Sequence, residues 1–380
     1  MIYLDYNSTT PVKPEVLVAM LPYLTEKFYN PSSSYYKGME ILGELEEARN
    51  FFKQSIYAKK AKEIYFVSCG SEANNWALRG VMHTGRPLHI ITSNIEHHSI
   101  LNTCKELEGE NCKIHIIPVD NKGVVCPDDI QDVLEKINPN DLILISIMAV
   151  NNEIGTIQPI KDIGLLARKY NAYFHVDAVQ AYGKIPIDVQ DMNIDMLSTS
   201  SHKIGAPRGS GFLYISGCSI IRPLITGGQQ ENYMRAGTEN VAAIKGFQKA
   251  AEIALSNMKH NQYQYKALYR YFVDKLSSID KFKVINKKMN TIHNTISIDC
   301  GVRAESMMSF LDDFGIMVSS GSACNSRDNQ PSHVLKAIGL SDAEARRVIR
   351  ISMAPELKVA DVNYVIEILK KGIEYLGNGR

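Results

Sequence analysis

Four short stretches of this 380-residue chain gather polar side chains of types that do chemistry. In "STSSHKIGAPRGSG" (198–211), Ser200, His202 and Lys203 sit in a polar segment that Gly205 and Pro207 keep from becoming a helix, and the apolar run "FLYI" follows at once. In "SCGSEANN" (68–75), Gly70 and Ser71 stand at a strand-to-helix junction, where free backbone N–H groups and the helix dipole suit a phosphate. In "HVDAVQ" (175–180), Asp177 ends an apolar run and Gln180 follows three residues on. A carboxylate buried there needs a cationic partner. In "VNNEIG" (150–155), Asn152 follows another apolar run. Each stretch alone has a plain explanation: a solvated loop lysine, a helix cap, an ion pair within the fold, a turn asparagine.

Together the four describe one chemistry. A lysine amine on a polar turn, a carboxylate at a neighbouring strand end and a phosphate cup at a third fit pyridoxal 5'-phosphate. Lys203 would carry the cofactor as a Schiff base, and Asp177 would keep the pyridinium nitrogen protonated so that the ring acts as an electron sink. Ser200 and His202 would add phosphate contacts.

The elements that must hold these groups follow from the hydrophobic pattern. "EIYFVSCG" (63–70), "HIITS" (89–93), "DLILISIMAV" (141–150), "NAYFHVDAVQ" (171–180) and "IDMLSTSSHK" (194–203) each read as a buried strand ending in polar residues. Amphipathic or helix-like segments such as 71–82 and 162–171 lie between them. This alternation predicts an α/β fold with a mainly parallel sheet covered by helices, in which ligands bind beyond the C-terminal strand ends. From about residue 256 the pattern changes to a long helix, short strands ("NTISIDC", "GIMVSS", "RRVIRISM") and a last helix with Val362, Val365, Ile366, Leu369 and Ile373 on one face. A second, smaller α+β domain is expected there, and "SDAE" (341–344) reads as a capping box.

Composition narrows the function classes. Lys+Arg 42 against Asp+Glu 41 leaves a net charge of +1, so no global field draws the chain to nucleic acid or a membrane surface. The start "MIYLDYNSTT" has no apolar signal region, and no run reaches the roughly 18 apolar residues of a spanning helix. Seven cysteines, an odd number without a Cys-x-x-Cys pair, argue against a disulfide framework or structural zinc and for a reducing cytoplasm. No spacing supports a metal site. Six of the seven thiols are expected to be buried and inert. The seventh, Cys324, lies in the Gly/Ser-rich "SSGSACNSRDNQPS" (319–332), the setting of an exposed nucleophile.

With these residues in view, the chain resembles the cysteine desulfurases, pyridoxal-phosphate enzymes of fold type I (aspartate aminotransferase-like), in the form that serves iron–sulfur assembly, nitrogen fixation or tRNA thiolation. The resemblance runs through "YLDYNSTTP" (3–11), "NPSS" (30–33), "SEANN" (71–75), "EHHSIL" (96–101), "NNEIGTIQP" (151–159), "HVDAVQ", "SSHKIGAPRGSG", "RAGTEN" (235–240), "SSGSAC" (319–324) and "RIS" (350–352). It implies a large domain over 15–255 and a small domain made of 1–14 and 256–380, which carries the catalytic cysteine. It implies Lys203 as the Schiff-base lysine, Asp177 on the ring nitrogen, Gln180 on the ring hydroxyl, and His97 stacked on the ring and moving protons. Gly70, Ser71, Ser200 and His202 would hold the phosphate, and Asn152 would touch cofactor or substrate. Arg350 would clamp the substrate carboxylate. Thr238 would reach the phosphate of a neighbouring subunit, which implies a homodimer.

The reaction so implied takes L-cysteine to L-alanine, with sulfur passing to Cys324 as a persulfide and then to an acceptor protein. A selenocysteine lyase, or another lyase or aminotransferase of the same fold, would use the same lysine and aspartate. The chain departs from the family pattern at Ser8, Tyr35, Gln229, Asn232 and Met353–Pro355, none of them a residue assigned to chemistry.

Overall fold

The structure, a computed structural model, describes residues 1–81, 85–109, 111–217, 219, 221–321 and 330–377. Its centre is a seven-stranded sheet in the order Ile64–Val67, Gly211–Ile215, Met196–Ser198, Tyr173–Asp177, Leu142–Met148, Leu88–Ser93, Cys112–Ile117. The last five pair in parallel, while Gly211–Ile215 runs antiparallel to both its neighbours. The strand residues of Leu88–Ser93 and Leu142–Met148 are buried throughout, as expected of strands covered on both faces.

One apolar core, with Phe52, Phe174, Phe212 and Phe247, packs helices Tyr36–Ser55, Ile160–Lys169 and Val241–Ser256 on one face. A second core around Trp76 and Leu144 seats helices Gly70–Gly80 and His98–Leu107 on the other.

A separate four-stranded antiparallel sheet orders Ser319–Ser320, Val348–Ser352, Thr295–Asp299 and Lys283–Val284. Helices Met258–Ser277, Ala304–Asp313 and Val359–Gly377 cover it through a third core that also takes in Leu4. The N-terminal strand Ile2–Tyr3 pairs in parallel with Ile316–Met317, so the first residues of the chain join this C-terminal unit. The run "GIMVSS" is therefore two short strands in different sheets, not one. The capping box forms as expected, with Ser341 and Glu344 each bonding the other's backbone N–H. Among the described residues no helix is long and apolar enough to cross a membrane.

Candidate active site

In the central sheet Met148, Asp177 and Ser198 lie side by side at the ends of three parallel strands. The segments that follow them, with the start of helix Gly70–Gly80 and the loop before helix His98–Leu107, enclose a cavity of about 510 Å³. Every site residue expected from the sequence lines it except two. Thr238 is exposed and lies outside the lining. Cys324 falls outside the described residues, while Gly321, three positions before it, is part of the wall.

Asp177 is 5% exposed and has no cation at ion-pair distance among the described residues. Its Oδ1 accepts from the Val179 N–H at 2.9 Å and its Oδ2 from Asn74 Nδ2 at 2.7 Å. Among the described residues, the ion pair within the fold that would have explained this carboxylate is not formed. A buried carboxylate held by two donors, with no cation at ion-pair distance among the described residues, fits a protonated ring nitrogen.

Lys203 closes the short turn Ser201–Lys203 after strand Met196–Ser198. Its Nζ donates to the carbonyls of Asn7 at 2.7 Å and Ser8 at 2.8 Å. It is half-buried and faces the cavity, not a solvated loop lysine.

The expected phosphate site is shaped by exclusion as much as by contact. A Cβ on Gly70 would lie 2.5 Å from Val179 Cγ2 and 3.6 Å from Ser200 Cβ, so only glycine leaves this helix start open. Beside it the Ser200 hydroxyl is buried and has no hydrogen-bond partner among the described residues. An orphaned buried hydroxyl at a helix N-terminus fits a bound phosphate. His202 bonds Thr9 through Nδ1 at 3.1 Å. Burial, then the positive charges of Lys203 and Arg208, push its pKa down to about 4, so the ring is neutral.

His97 caps helix His98–Leu107, its Nδ1 accepting the Ser99 N–H at 3.1 Å. The Ser99 hydroxyl accepts from Asn74 Nδ2 at 2.9 Å and so donates its own hydrogen to Nδ1, at 2.8 Å. Nδ1 is thereby an acceptor, and the neutral ring carries its proton on Nε2. Burial lowers the His97 pKa, opposed by Asp177. His97 thus both caps this helix and lines the cavity.

Arg350 lies on strand Val348–Ser352 and is 3% exposed, so it is no surface arginine. Nη1 donates to the Asn152 carbonyl at 3.0 Å, and Nη2 donates to Asp5 Oδ1 at 2.7 Å and Ser8 Oγ at 2.9 Å. Nε is buried without a partner among the described residues. The guanidinium is thus oriented by its neighbours, with the Nε hydrogen and one Nη1 hydrogen not engaged by the described residues.

Several wall residues were not assigned from sequence. Asn74 stands inside the quoted "SEANN", and Ser99 inside "EHHSIL", but nothing in their spacing marks them as a bridge between Asp177 and His97. Glu153 and His333 also line the cavity. Glu153 accepts from the Ser332 hydroxyl, and burial raises its pKa to about 7. The cysteine expectation needs correction. Cys104, Cys112 and Cys300 are buried, whereas Cys126 is exposed and Cys69 is half-buried on the cavity wall. Polar "SCGS" and "VVCPDD" surroundings offer these two thiols little apolar packing. The loop holding Gln229 and Asn232 has positive φ at Glu231, Asn232 and Tyr233 (47°, 54° and 66°). It is pinned by the buried Glu231 carboxylate, which meets Arg49 at 2.7 and 2.9 Å and the Phe66 N–H at 2.8 Å.

Known proteins resemble this chain over nearly its whole length. The aminotransferase class-V family model matches residues 2–365. A cysteine desulfurase IscS of Dictyoglomus turgidum is 44% identical over 379 residues, covering 99% of this chain and 95% of the relative. Among solved structures, a NifS-like protein superposes with a TM-score of 0.91 at 35% identity, covering 99% and 100% of the two chains. A structure described as SspA in complex with cysteine gives a TM-score of 0.80 at 37% identity, covering 93% and 99%. The chain therefore belongs to the class-V aminotransferase family and, within it, to the cysteine desulfurases, enzymes that work with pyridoxal 5'-phosphate.

Proposed function

We propose that this chain converts L-cysteine to L-alanine, receives the sulfur on Cys324 as a persulfide, and passes it to an acceptor protein for iron–sulfur cluster assembly or tRNA thiolation. The reading rests above all on Asp177, a buried carboxylate with no cation at ion-pair distance among the described residues, sharing one cavity with the Lys203 amine. The reaction balances without an outside oxidant: one substrate C–S bond breaks, one S–S bond forms, and the proton of the attacking thiol accounts for the new C–H bond of alanine.

Pyridoxal 5'-phosphate, bound in this cavity, supplies an electron sink for bond breaking at the substrate. The chain's own groups would do the rest. Lys203 would hold the cofactor covalently, with Asp177 keeping a proton on the ring nitrogen. Gly70, Ser71, Ser200 and His202 would seat the phosphate, while Arg350 and Asn152 would orient the substrate. His97, neutral with its hydrogen on Nε2, would stack on the ring and donate that proton. Cys324 would attack the substrate sulfur as a thiolate.

The active form would be a cytoplasmic homodimer, with Thr238 reaching the partner's phosphate. Its exposure outside its own cavity supports this, as does the apolar face of helix Pro14–Thr25, where Leu17, Val18, Leu21 and Leu24 are all exposed. A large domain over 15–255 would carry the cofactor, and 1–14 with 256–380 would bring Cys324.

The test compares wild type with Cys324→Ala for alanine and persulfide from L-cysteine. Wild type should make both, and the variant should keep its yellow colour and make neither. Equal alanine from both proteins would remove Cys324 from the reaction and leave a lyase that releases sulfur another way.

A further inference from the structure

Gln180 lines the cavity, yet what decides which end of its amide faces inward lies behind it. Lys184 does not line the cavity; its Nζ donates to Gln180 Oε1 at 2.9 Å. The Asn7 carbonyl on the far side of the amide can only accept, so the NH2 end faces Asn7 and the end that Lys184 meets is the amide oxygen. At the other end Gln180 Nε2 donates to the Asn7 carbonyl at 2.8 Å. The flipped amide would set two oxygens against each other at Asn7 and two donors against each other at Lys184. The same Asn7 carbonyl accepts Lys203 Nζ at 2.7 Å. Lys184, Gln180, Asn7 and Lys203 therefore form one hydrogen-bonded chain that ends on the reactive amine. Nε2 has two hydrogens; Asn7 takes one and the other is left for the cavity.

The charges around Lys184 do not account for its place. Burial, then the positive charges of Lys203 and Arg350, push its pKa down to about 7, and His202 is a further basic neighbour. No carboxylate meets it at ion-pair distance among the described residues. Its polar side-chain contact is the Gln180 amide.

We propose that Lys184 is a positioning residue that locks the Gln180 amide with an N–H turned to the cofactor's ring oxygen, favouring the anionic form of that oxygen. The proposal rests on the reading above, in which Gln180 meets the ring hydroxyl of pyridoxal 5'-phosphate.

The test is a pH titration of the visible absorption band of the full holoenzyme without substrate, for wild type, Gln180→Leu, Lys184→Met, Lys184→Gln and the Gln180→Leu/Lys184→Met double variant. Gln180→Leu and Lys184→Met should each raise the midpoint by roughly 1–2 pH units, the size expected for losing one hydrogen bond to a charged group. The double variant should move no further than either. Lys184→Gln keeps a donor without the charge and should stay near wild type. Additive shifts in the double variant, or Lys184→Gln matching Lys184→Met, would show a charge acting independently of the amide and overturn the proposal. An unmoved midpoint in Gln180→Leu would instead overturn the placement of Gln180, and the proposal with it. Should Lys184→Met not hold the cofactor, Lys184→Gln alone decides: a midpoint near wild type supports the donor role and a raised one refutes it.

Discussion

The Asn74 amide donates to Asp177 Oδ2 at 2.7 Å, and through its second hydrogen it reaches Ser99, the residue that sets the His97 tautomer. One side chain on helix Gly70–Gly80 therefore orients both the group assigned to the ring nitrogen and the group assigned to the ring face. Its own Oδ1 is buried without a partner among the described residues, so the bridge is held at some cost.

Asn74→Ala should lower kcat by roughly 10- to 100-fold, since a hydrogen bond to a charged group contributes about 1.5–3 kcal/mol. The cofactor should still bind, because the phosphate cup is intact. Steady-state alanine formation beside the visible spectrum checks this; a loss under about threefold would count against the bridge.

Gly70→Ala should weaken cofactor binding, because the new Cβ would lie 2.5 Å from Val179 Cγ2 and force the cup to shift. Adding Val179→Ala removes that methyl and should restore most of the affinity. Titration of the cofactor-free variants with pyridoxal 5'-phosphate reads both effects. No recovery in the double variant would mean that the clash is not the cause.

Arg350→Lys should raise KM for L-cysteine more than it lowers kcat. Lysine keeps the charge but cannot span Asn152, Asp5 and Ser8 in the planar fork that orients the guanidinium. An unchanged KM would take Arg350 out of substrate binding and leave it a purely structural tie between the N-terminal segment and strand Val348–Ser352.

Glu96 gives a pH dependence of stability. Burial, with the charge of Asp177 adding to it, pushes its carboxyl up to about 8 from an ordinary 4.5, against the bonds from Ser93 and the Met148 N–H. The folded state then binds the proton more tightly than the unfolded chain. The associated stability is complete below about pH 4.5 and is lost as pH rises through about 8. Glu153, raised to about 7, adds a slope of the same sign. Glu96→Gln should flatten the fall in unfolding free energy between pH 5.5 and 8.5 by about 2–4 kcal/mol, measured by urea melts at both values. An unchanged slope would show that Glu96 is ionised in the fold.

Local hydrophobic pattern was enough to read the architecture and to place most of the expected residues around one cavity. Buried strands of pure aliphatic type can only be satisfied with helices on both faces, so runs such as "LILISIM" dictate the parallel sheet locally. Each strand end then delivers its polar residues to one rim, and this is why Asp177, Ser200 and Lys203 converge as expected from their positions alone. The tertiary structure decided what depends on partners far apart in the chain. Asn74 becomes a bridge only because helix Gly70–Gly80 packs beside the end of strand Tyr173–Asp177, 103 residues away. Arg350 is buried and aimed because the N-terminal segment, 345 residues earlier, folds onto its strand. Cys69 reaches the cavity wall for the same kind of reason. Hydrophobic periodicity records which face a residue occupies. Which polar atoms then meet across that face is set by packing, and no local pattern encodes it.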